Sequence, residues 1–148
     1  MSQHEVTLLL GSNLGNPEQN INNAIAQLEA EFGTIVAKTQ VLETAPVEFV
    51  TRNYFCNIAL IIKTQYSPLQ VLRKIKEIEH RMGRTTDTSV SVDYQDRIID
   101  IDVVFFDAIK YYCRELRIPH EKHQYERKFS RTLLNELMRE KAVEVKTN

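Results

Sequence analysis

Residues 97–106 read Arg97-Ile98-Ile99-Asp100-Ile101-Asp102-Val103-Val104-Phe105-Phe106, and Ile98 to Phe106 is the strongest β signal in the chain. Side chains alternate along a strand, so Asp100 and Asp102 project from one face, roughly 6.5 to 7 Å apart. Ile99, Ile101, Val103 and Phe105 are expected on the other face, toward a core. Two carboxylates on one face of an otherwise apolar strand repel each other and lose solvation. Such a pair suits an exposed surface, a neighbourhood of basic side chains, or a hard divalent cation. Mg²⁺ is the natural candidate, because it takes oxygen ligands and completes its shell with water and substrate phosphate. An ordinary sheet with a wet second face accounts for the pair at least as well.

Outward from this strand the elements alternate. Val6 to Leu10 is a short apolar β-prone run that ends at the turn cluster Gly11-Ser12-Asn13. Asn16-Pro17-Glu18-Gln19 reads as a helix start, Ile21, Ala24, Ile25, Leu28 and Phe32 follow at helical spacing, and Gly33 supplies the stop. Thr34 to Glu43 is a second strand, Thr44 to Tyr54 a loop, and Phe55 to Thr64 a third strand. Ser67 and Gln70 form a capping box before the stripe Leu69, Leu72, Ile75, Ile78 and Met82, closed by Gly83. Thr85 to Asp96 is polar and aperiodic, the mark of a functional or mobile loop. Asp107 to Ile118 is expected to hold a short hairpin or irregular excursion. A third helix follows over about 125–140, with Phe129, Leu133, Leu137 and Met138 inward. The order β-α-β-β-α-β plus a helix predicts an α+β ferredoxin-like sandwich: an antiparallel sheet, two helices on one face, and a C-terminal helix. That frame hosts many functions and decides none.

The composition excludes several classes. With 148 residues, 43% apolar and 26% charged, the chain is expected to form one domain over 1–148. No apolar run approaches the ~18 to 20 residues that cross a bilayer. The start lacks the basic-then-apolar pattern of a secretory signal, so a cytoplasmic protein is expected. Cys56 and Cys113 make no disulfide framework and are expected to be inert buried thiols. The net charge of −1 argues against a nucleic-acid binder. Residues 1–60 hold 2 basic and 6 acidic side chains against 17 and 14 in the remainder, a bias that suits a small polyanion better than a duplex.

Basic groups collect around the acidic strand in the sequence. Arg84 follows the second helix, Arg97 enters the strand, and His120, His123 and Arg127 follow Pro119. Arginine forks suit phosphate and offset charge that develops during transfer, although each of these residues alone is an ordinary surface group. His120 and His123 make a poor zinc site, because no Cys or third His completes it at a helpful spacing. There is no Walker A sequence, kinase glycine loop or Gly-x-Ser-x-Gly elbow. A nucleotide must therefore be held by side chains and metal.

Several segments, in order, carry a resemblance. They are Gly11-Ser12-Asn13-Leu14-Gly15, Thr44-Ala45-Pro46-Val47, Phe55-Cys56-Asn57, Glu79 with Gly83-Arg84, Arg97-x-x-Asp100-x-Asp102, and Pro119-His120 followed by Arg127-x-Phe129. Over residues 6–137 the chain resembles the 6-hydroxymethyl-7,8-dihydropterin pyrophosphokinases of folate synthesis. The resemblance implies transfer of the β,γ-pyrophosphoryl group of ATP to the pterin hydroxymethyl, with release of AMP. It implies two Mg²⁺ ions with ATP on Asp100 and Asp102, and Arg84 and Arg97 as the catalytic cations. It places Glu79, Arg84, Arg97, Val103, His120 and Arg127 on the nucleotide. Thr44, Ala45, Val47, Phe55, Asn57, Tyr94 and Phe129, with the two aspartates, fall to the pterin. Phe55 and Phe129 could sandwich a flat ring and Asn57 offers donor and acceptor to its amide edge, although core packing explains the two rings as readily. The partners implied are small molecules, with no nucleic acid or membrane, and the chain is expected to act as a monomer.

The chain also departs from the pattern. Members usually carry more arginines, and often a tryptophan, between the second helix and the acidic strand. Here Tyr94 takes the tryptophan position and Asp93 replaces a basic residue. Glu115 likewise stands where a basic residue is common, flanked by Arg114 and Arg117. These departures predict an intact pterin pocket with weak or slow closure over ATP. They leave a non-catalytic pterin- or nucleotide-binding relative as the alternative.

Overall fold

Asn16 and Ser67 start their helices as the sequence predicts. In the computed structural model, which describes residues 3–45, 54–83, 97–120 and 128–147 with side chains up to Lys141, Asn16 Oδ1 accepts the Gln19 amide at 3.1 Å ahead of α1 (Pro17–Phe32). Gly33 ends α1 at φ +96°, a conformation open to glycine, and its N–H donates to Glu29 O. Ahead of α2 (Pro68–Arg81), Ser67 Oγ accepts the Gln70 amide at 3.3 Å while Gln70 Oε1 accepts the Ser67 amide at 2.9 Å.

These helices lie on one face of an antiparallel sheet. Its strands are β1 (His4–Ser12), β2 (Ile35–Lys38), β3 (Leu42–Thr44), β4 (Phe55–Thr64) and β5 (Asp100–Phe106). They run in the order β2-β4-β1-β5, with β3 also paired to β4. A separate hairpin joins β6 (Tyr111–Tyr112) to β7 (Arg117–Ile118), as expected between Asp107 and Ile118. Ile21, Leu28, Ile75 and Ile78 meet Val6, Leu8, Leu10, Leu60 and Ile101 in the larger core. On the opposite face α3 (Lys128–Thr147) sets Leu133 and Leu137 against Leu9, Ala59, Ile61 and Val104. Each fully buried Leu or Ile contributes about 1.5–3 kcal/mol, so the two faces hold the sheet between them. Lys74 joins Glu31 at 2.6 Å to tie α2 to α1, and Lys141 of α3 pairs with Glu5 of β1. Among the described residues no helix is long and apolar enough to cross a membrane.

The structure corrects several expectations. The segment Thr34–Glu43 is two strands, because the buried Thr39 turns its hydroxyl inward to accept the Ala59 amide at 3.1 Å and breaks the ladder. Phe105 does not share a face with Ile101 and Val103. Leu8 pairs with Val103 but Thr7 with Phe105, so Val104 is the extra residue of a bulge, and Phe106 takes the place in the larger core. Met138 is 63% exposed, one position beyond the inward stripe of α3. That helix runs to Thr147, past the expected end, and its expected start at Tyr125 lies outside the described residues. Cys113 is exposed in the hairpin, not buried. Cys56 is half-buried, and burial pushes its thiol up, with Glu43 and Glu18 adding to the effect.

Asp107 closes the end of β5. It sits at φ +49°, Oδ1 accepts the Glu5 amide at 2.7 Å, and Oδ2 lies 2.7 Å from His4 Nδ1. Burial pushes its carboxyl up, but the Glu5 amide and His4 outweigh that and hold it below the ordinary carboxylate value. A lowered folded-state pKa gives stability that is present above the unfolded value and lost as pH falls through the folded one. Asp107→Asn should therefore melt below the wild type at pH 7. The gap should close on acidification below about pH 4, the ordinary carboxylate value, in thermal melts taken across pH.

Candidate active site

The carboxylate pair stands on the outermost strand of the main sheet. Asp100 and Asp102 pair across β1 with Gly11 and Leu9, so both point to the α3 face, where the sequence alternation puts them together. Arg97, just before the strand, sets Nη1 3.0 Å from Asp100 Oδ2, with both side chains under a fifth exposed (18% and 19%). This guanidinium offsets part of the repulsion within the pair.

A side-chain-free floor separates these carboxylates from Asn57. Gly11 pairs with Asp100 on one side and with Asn57 of β4 on the other, so Asn57, Gly11 and Asp100 form one row across three strands. Directly paired residues point the same way, which makes the row about 10 Å wide at two strand spacings. A Cβ at Gly11 would lie 2.8 Å from Asn57 Oδ1, so only glycine leaves Asn57 where it is. Asn57 is buried, and its Nδ2 has no hydrogen-bond partner among the described residues. Arg97 Nε is likewise buried without one. Buried donors in that state mark a place for a ligand acceptor. Thr44 pairs with Phe55 two residues along β4 from Asn57, and Ala45 is exposed beyond it. Phe129 is half-buried and joins the α3-face cluster of Leu9 and Ala59.

A cavity of about 310 Å³ opens off the free edge of β5. Ile101, Asp102 and Val103 form one wall, Leu72 and Lys76 of α2 a second, and Glu115, Leu116, Arg117 and His120 a third. The backbone N–H of His120 donates to Val104 O at 3.1 Å, which pins that third wall to the bulge in β5. Asp102, which pairs with Leu9 one row along from Asp100, thus joins the row's face to the cavity. A larger groove of about 670 Å³ runs along β2 beside Gly33, Lys38 and Glu140, away from the carboxylates. Its size does not outweigh the chemistry at β5.

Two further side chains hold this arrangement. Asn13 Oδ1 accepts the Arg97 amide at 2.6 Å, and the Asn13 amide donates to Arg97 O at 3.0 Å. Glu79 of α2, 2% exposed, accepts the Ile101 amide at 2.8 Å. Of the residues predicted from sequence, the structure places Asn57 and Asp100 in the row, Arg97 against Asp100, and Asp102, Val103 and His120 at the cavity. Thr44, Phe55 and Phe129 lie on the adjoining part of the same face, and Ala45 follows Thr44 at the end of β3. Val47, Arg84, Tyr94 and Arg127 lie outside the described residues, as does the loop Thr85–Asp96. Lys76 and the clasp made by Asn13 were not assigned from sequence. A polar residue after a strand reads as a turn former, and nothing in its neighbours shows a partner 84 positions away.

An antiparallel α+β sheet whose edge strand carries two carboxylates, a guanidinium and a mixed-charge cavity defines a class. It is a protein that handles an anionic ligand through side chains instead of a glycine-rich cradle. The family model described as 7,8-dihydro-6-hydroxymethylpterin-pyrophosphokinase (HPPK) matches residues 7–139. The chain belongs to this family. It is 32% identical to the 2-amino-4-hydroxy-6-hydroxymethyldihydropteridine pyrophosphokinase of Bacillus subtilis, over 82% of this chain and 71% of that protein. Against the Porphyromonas gingivalis protein of the same name it is 31% identical, over 89% of each. It also matches the mitochondrial folate synthesis bifunctional protein of Arabidopsis thaliana at 32% identity over 86% of this chain, but spans only 22% of that longer protein. The crystal structure of Plasmodium falciparum HPPK-DHPS with pteroate superposes with a TM-score of 0.68, over 92% of this chain and 39% of that one, at 18% identity.

Removing the Asn13 clasp tests how far it holds the site. Asn13→Ala leaves the Arg97 amide without its acceptor, and urea denaturation should show a loss of about 1–3 kcal/mol.

Proposed function

We propose that the chain transfers the β,γ-pyrophosphoryl group of ATP to the hydroxymethyl oxygen of 6-hydroxymethyl-7,8-dihydropterin, releasing AMP, as a step of folate synthesis. The observation that carries this reading is the row Asn57-Gly11-Asp100. A buried amide donor in need of an acceptor faces a carboxylate pair across a bare glycine floor. A flat bicyclic ring fits over such a floor, its amide edge on Asn57 and its one-carbon arm toward the carboxylates. Strand order and the placement of α1 and α2 on one face support a ferredoxin-like frame beneath it.

In the transfer the hydroxymethyl oxygen attacks the β-phosphorus as the bond from that phosphorus to the AMP oxygen breaks. AMP leaves with the electron pair, and the hydroxyl proton is lost. Transfers of this kind depend on positioning and charge stabilisation more than on covalent help. Asp100 and Asp102 offer hard oxygen donors on one face, a set that fits Mg²⁺, with two ions accompanying ATP. When bound, Mg²⁺ neutralises phosphate charge and orients the two substrates. Arg97 adds a fixed guanidinium beside Asp100. Lys76, Arg117 and His120 line the cavity into which the nucleotide extends, with Val103 as its apolar wall. Thr44, Ala45, Phe55 and Phe129 border the ring site. Arg84 and Arg127 on the nucleotide, and Val47 and Tyr94 on the pterin, keep the roles the resemblance gives them. Glu115 stands in the same cavity wall and opposes the triphosphate, which favours weaker ATP binding than in relatives with a basic residue there.

Incubation with MgATP and the pterin, followed by nucleotide separation, should give pterin-dependent AMP and no ADP. Pterin binding without AMP would move the assignment to a non-catalytic relative. Asp100→Ala and Asp102→Ala should each abolish AMP formation. Asp102→Ala should melt no lower than wild type because it relieves repulsion, whereas Asp100→Ala also removes the Arg97 ion pair and should melt somewhat lower. Retained activity would exclude the pair from the reaction. Gly11→Ala should fold, because only the end of the Asn57 side chain must move. Titration should show pterin affinity at least tenfold weaker, with MgATP affinity unchanged.

A further inference from the structure

We propose that Glu79 is a positioning residue for the carboxylate pair. It acts through the Ile101 amide to fix the edge strand between Asp100 and Asp102. The proposal rests on the reading of that pair as the cation site.

The geometry follows from the register. Asp100 and Asp102 pair with Gly11 and Leu9 on the inner edge of β5. In an antiparallel ladder, backbone groups of successive residues point to opposite edges. The Ile101 amide accordingly points off the outer edge, where the main sheet has no further strand among the described residues. Glu79 Oε2 accepts it at 2.8 Å. Glu79 sits in the buried stripe of α2 with Val71, Ile75 and Ile78, a place where a carboxyl group is costly unless hydrogen-bonded and where an apolar residue would pack at lower cost. Its Oε1 lies 3.6 Å from Lys76 Nζ, and Lys76 lines the cavity. One side chain therefore ties the middle of the acidic strand to the wall beside it. Without that tie, the outer edge of the strand between Asp100 and Asp102 loses the one hydrogen bond described for it there, and the next anchor on that edge is the His120 amide on Val104 O.

Reach and charge can be separated. Glu79→Gln keeps an oxygen at the same distance but has no charge. Glu79→Asp keeps the charge and falls one methylene short. In the ligand-free protein, Ile101 amide exchange followed by NMR should stay near wild type in Glu79→Gln and accelerate at least tenfold in Glu79→Asp. Affinity for Mn²⁺ with a non-hydrolysable ATP analogue, measured by calorimetry, should stay within threefold in Glu79→Gln and fall at least tenfold in Glu79→Asp. Pterin affinity should hold in both. The opposite ranking, with Asp retaining affinity and Gln losing it, would show that Glu79 acts by charge and overturn the proposal. Loss of Ile101 protection in Glu79→Asp with Mn²⁺ affinity intact would leave only a structural cap, and also overturns it. Asp102→Asn separates the two levels. If it binds Mn²⁺ as tightly as wild type, the cation-site reading itself has failed. If it loses Mn²⁺ while Glu79→Asp does not, only the role of Glu79 has.

Discussion

A pair of carboxylates on the outermost strand of a sheet is the constraint that organises this structure. An edge strand has one neighbour, and mutual repulsion of Asp100 and Asp102 works against a fixed geometry. Three contacts answer it from different directions. β1 pairs along the inner edge, Asn13 clasps the backbone of Arg97 where the chain enters, and Glu79 takes the Ile101 amide on the outer edge. Arg97 then meets Asp100 from a backbone that is itself held. The acidic strand is thus supported largely through backbone amides and carbonyls.

The two faces of the sheet divide the work. The α1/α2 face carries the larger apolar cluster and is closed. The α3 face is covered over Leu9, Ala59 and Val104 but leaves the next row, at Gly11, for Asn57 and Asp100. The bulge at Val104 helps to set this boundary. It sends Val104 and Phe105 together to the α3 side, and the Val104 carbonyl receives the His120 amide. A regular strand would have put Phe105 in the larger core and moved that anchor to the other edge.

How much of this was legible in the sequence depends on the range of the interaction concerned. Helix caps at Asn16 and Ser67 are contacts over three residues, and they form as read. Alternation placed Asp100 and Asp102 on one face because it needs only the strand's period. The same rule failed at Phe105, since a bulge reverses parity and arises from pairing with β1. It failed again at Thr39, where a hydroxyl facing β4 splits one predicted strand into two. Glu79 follows Ile78 in the second helix, and only the resemblance singled it out, as a nucleotide contact. Its partner is an amide that only the sheet topology exposes. The row Asn57-Gly11-Asp100 joins three strands distant in sequence, so no local pattern could show it.

Among the departures from the family pattern, Glu115 falls where this architecture constrains least. Asn57 and Asp100 are fixed by strand register on either side of Gly11, and a side chain added at that glycine meets Asn57 at once. Substitution there displaces the end of the Asn57 side chain. Glu115, by contrast, lies in the short hairpin between β6 and β7, exposed, accepting only the Cys113 thiol at 3.4 Å among its described hydrogen bonds. Asp93 and Tyr94 belong to the long polar segment before Arg97. Substituting Glu115 alters charge in the cavity wall, on a hairpin separate from the strand that carries Asp100 and Asp102. On the proposed reading, the sheet sets which ring and which transferred group the site accepts, and the hairpin tunes how tightly the nucleotide is held.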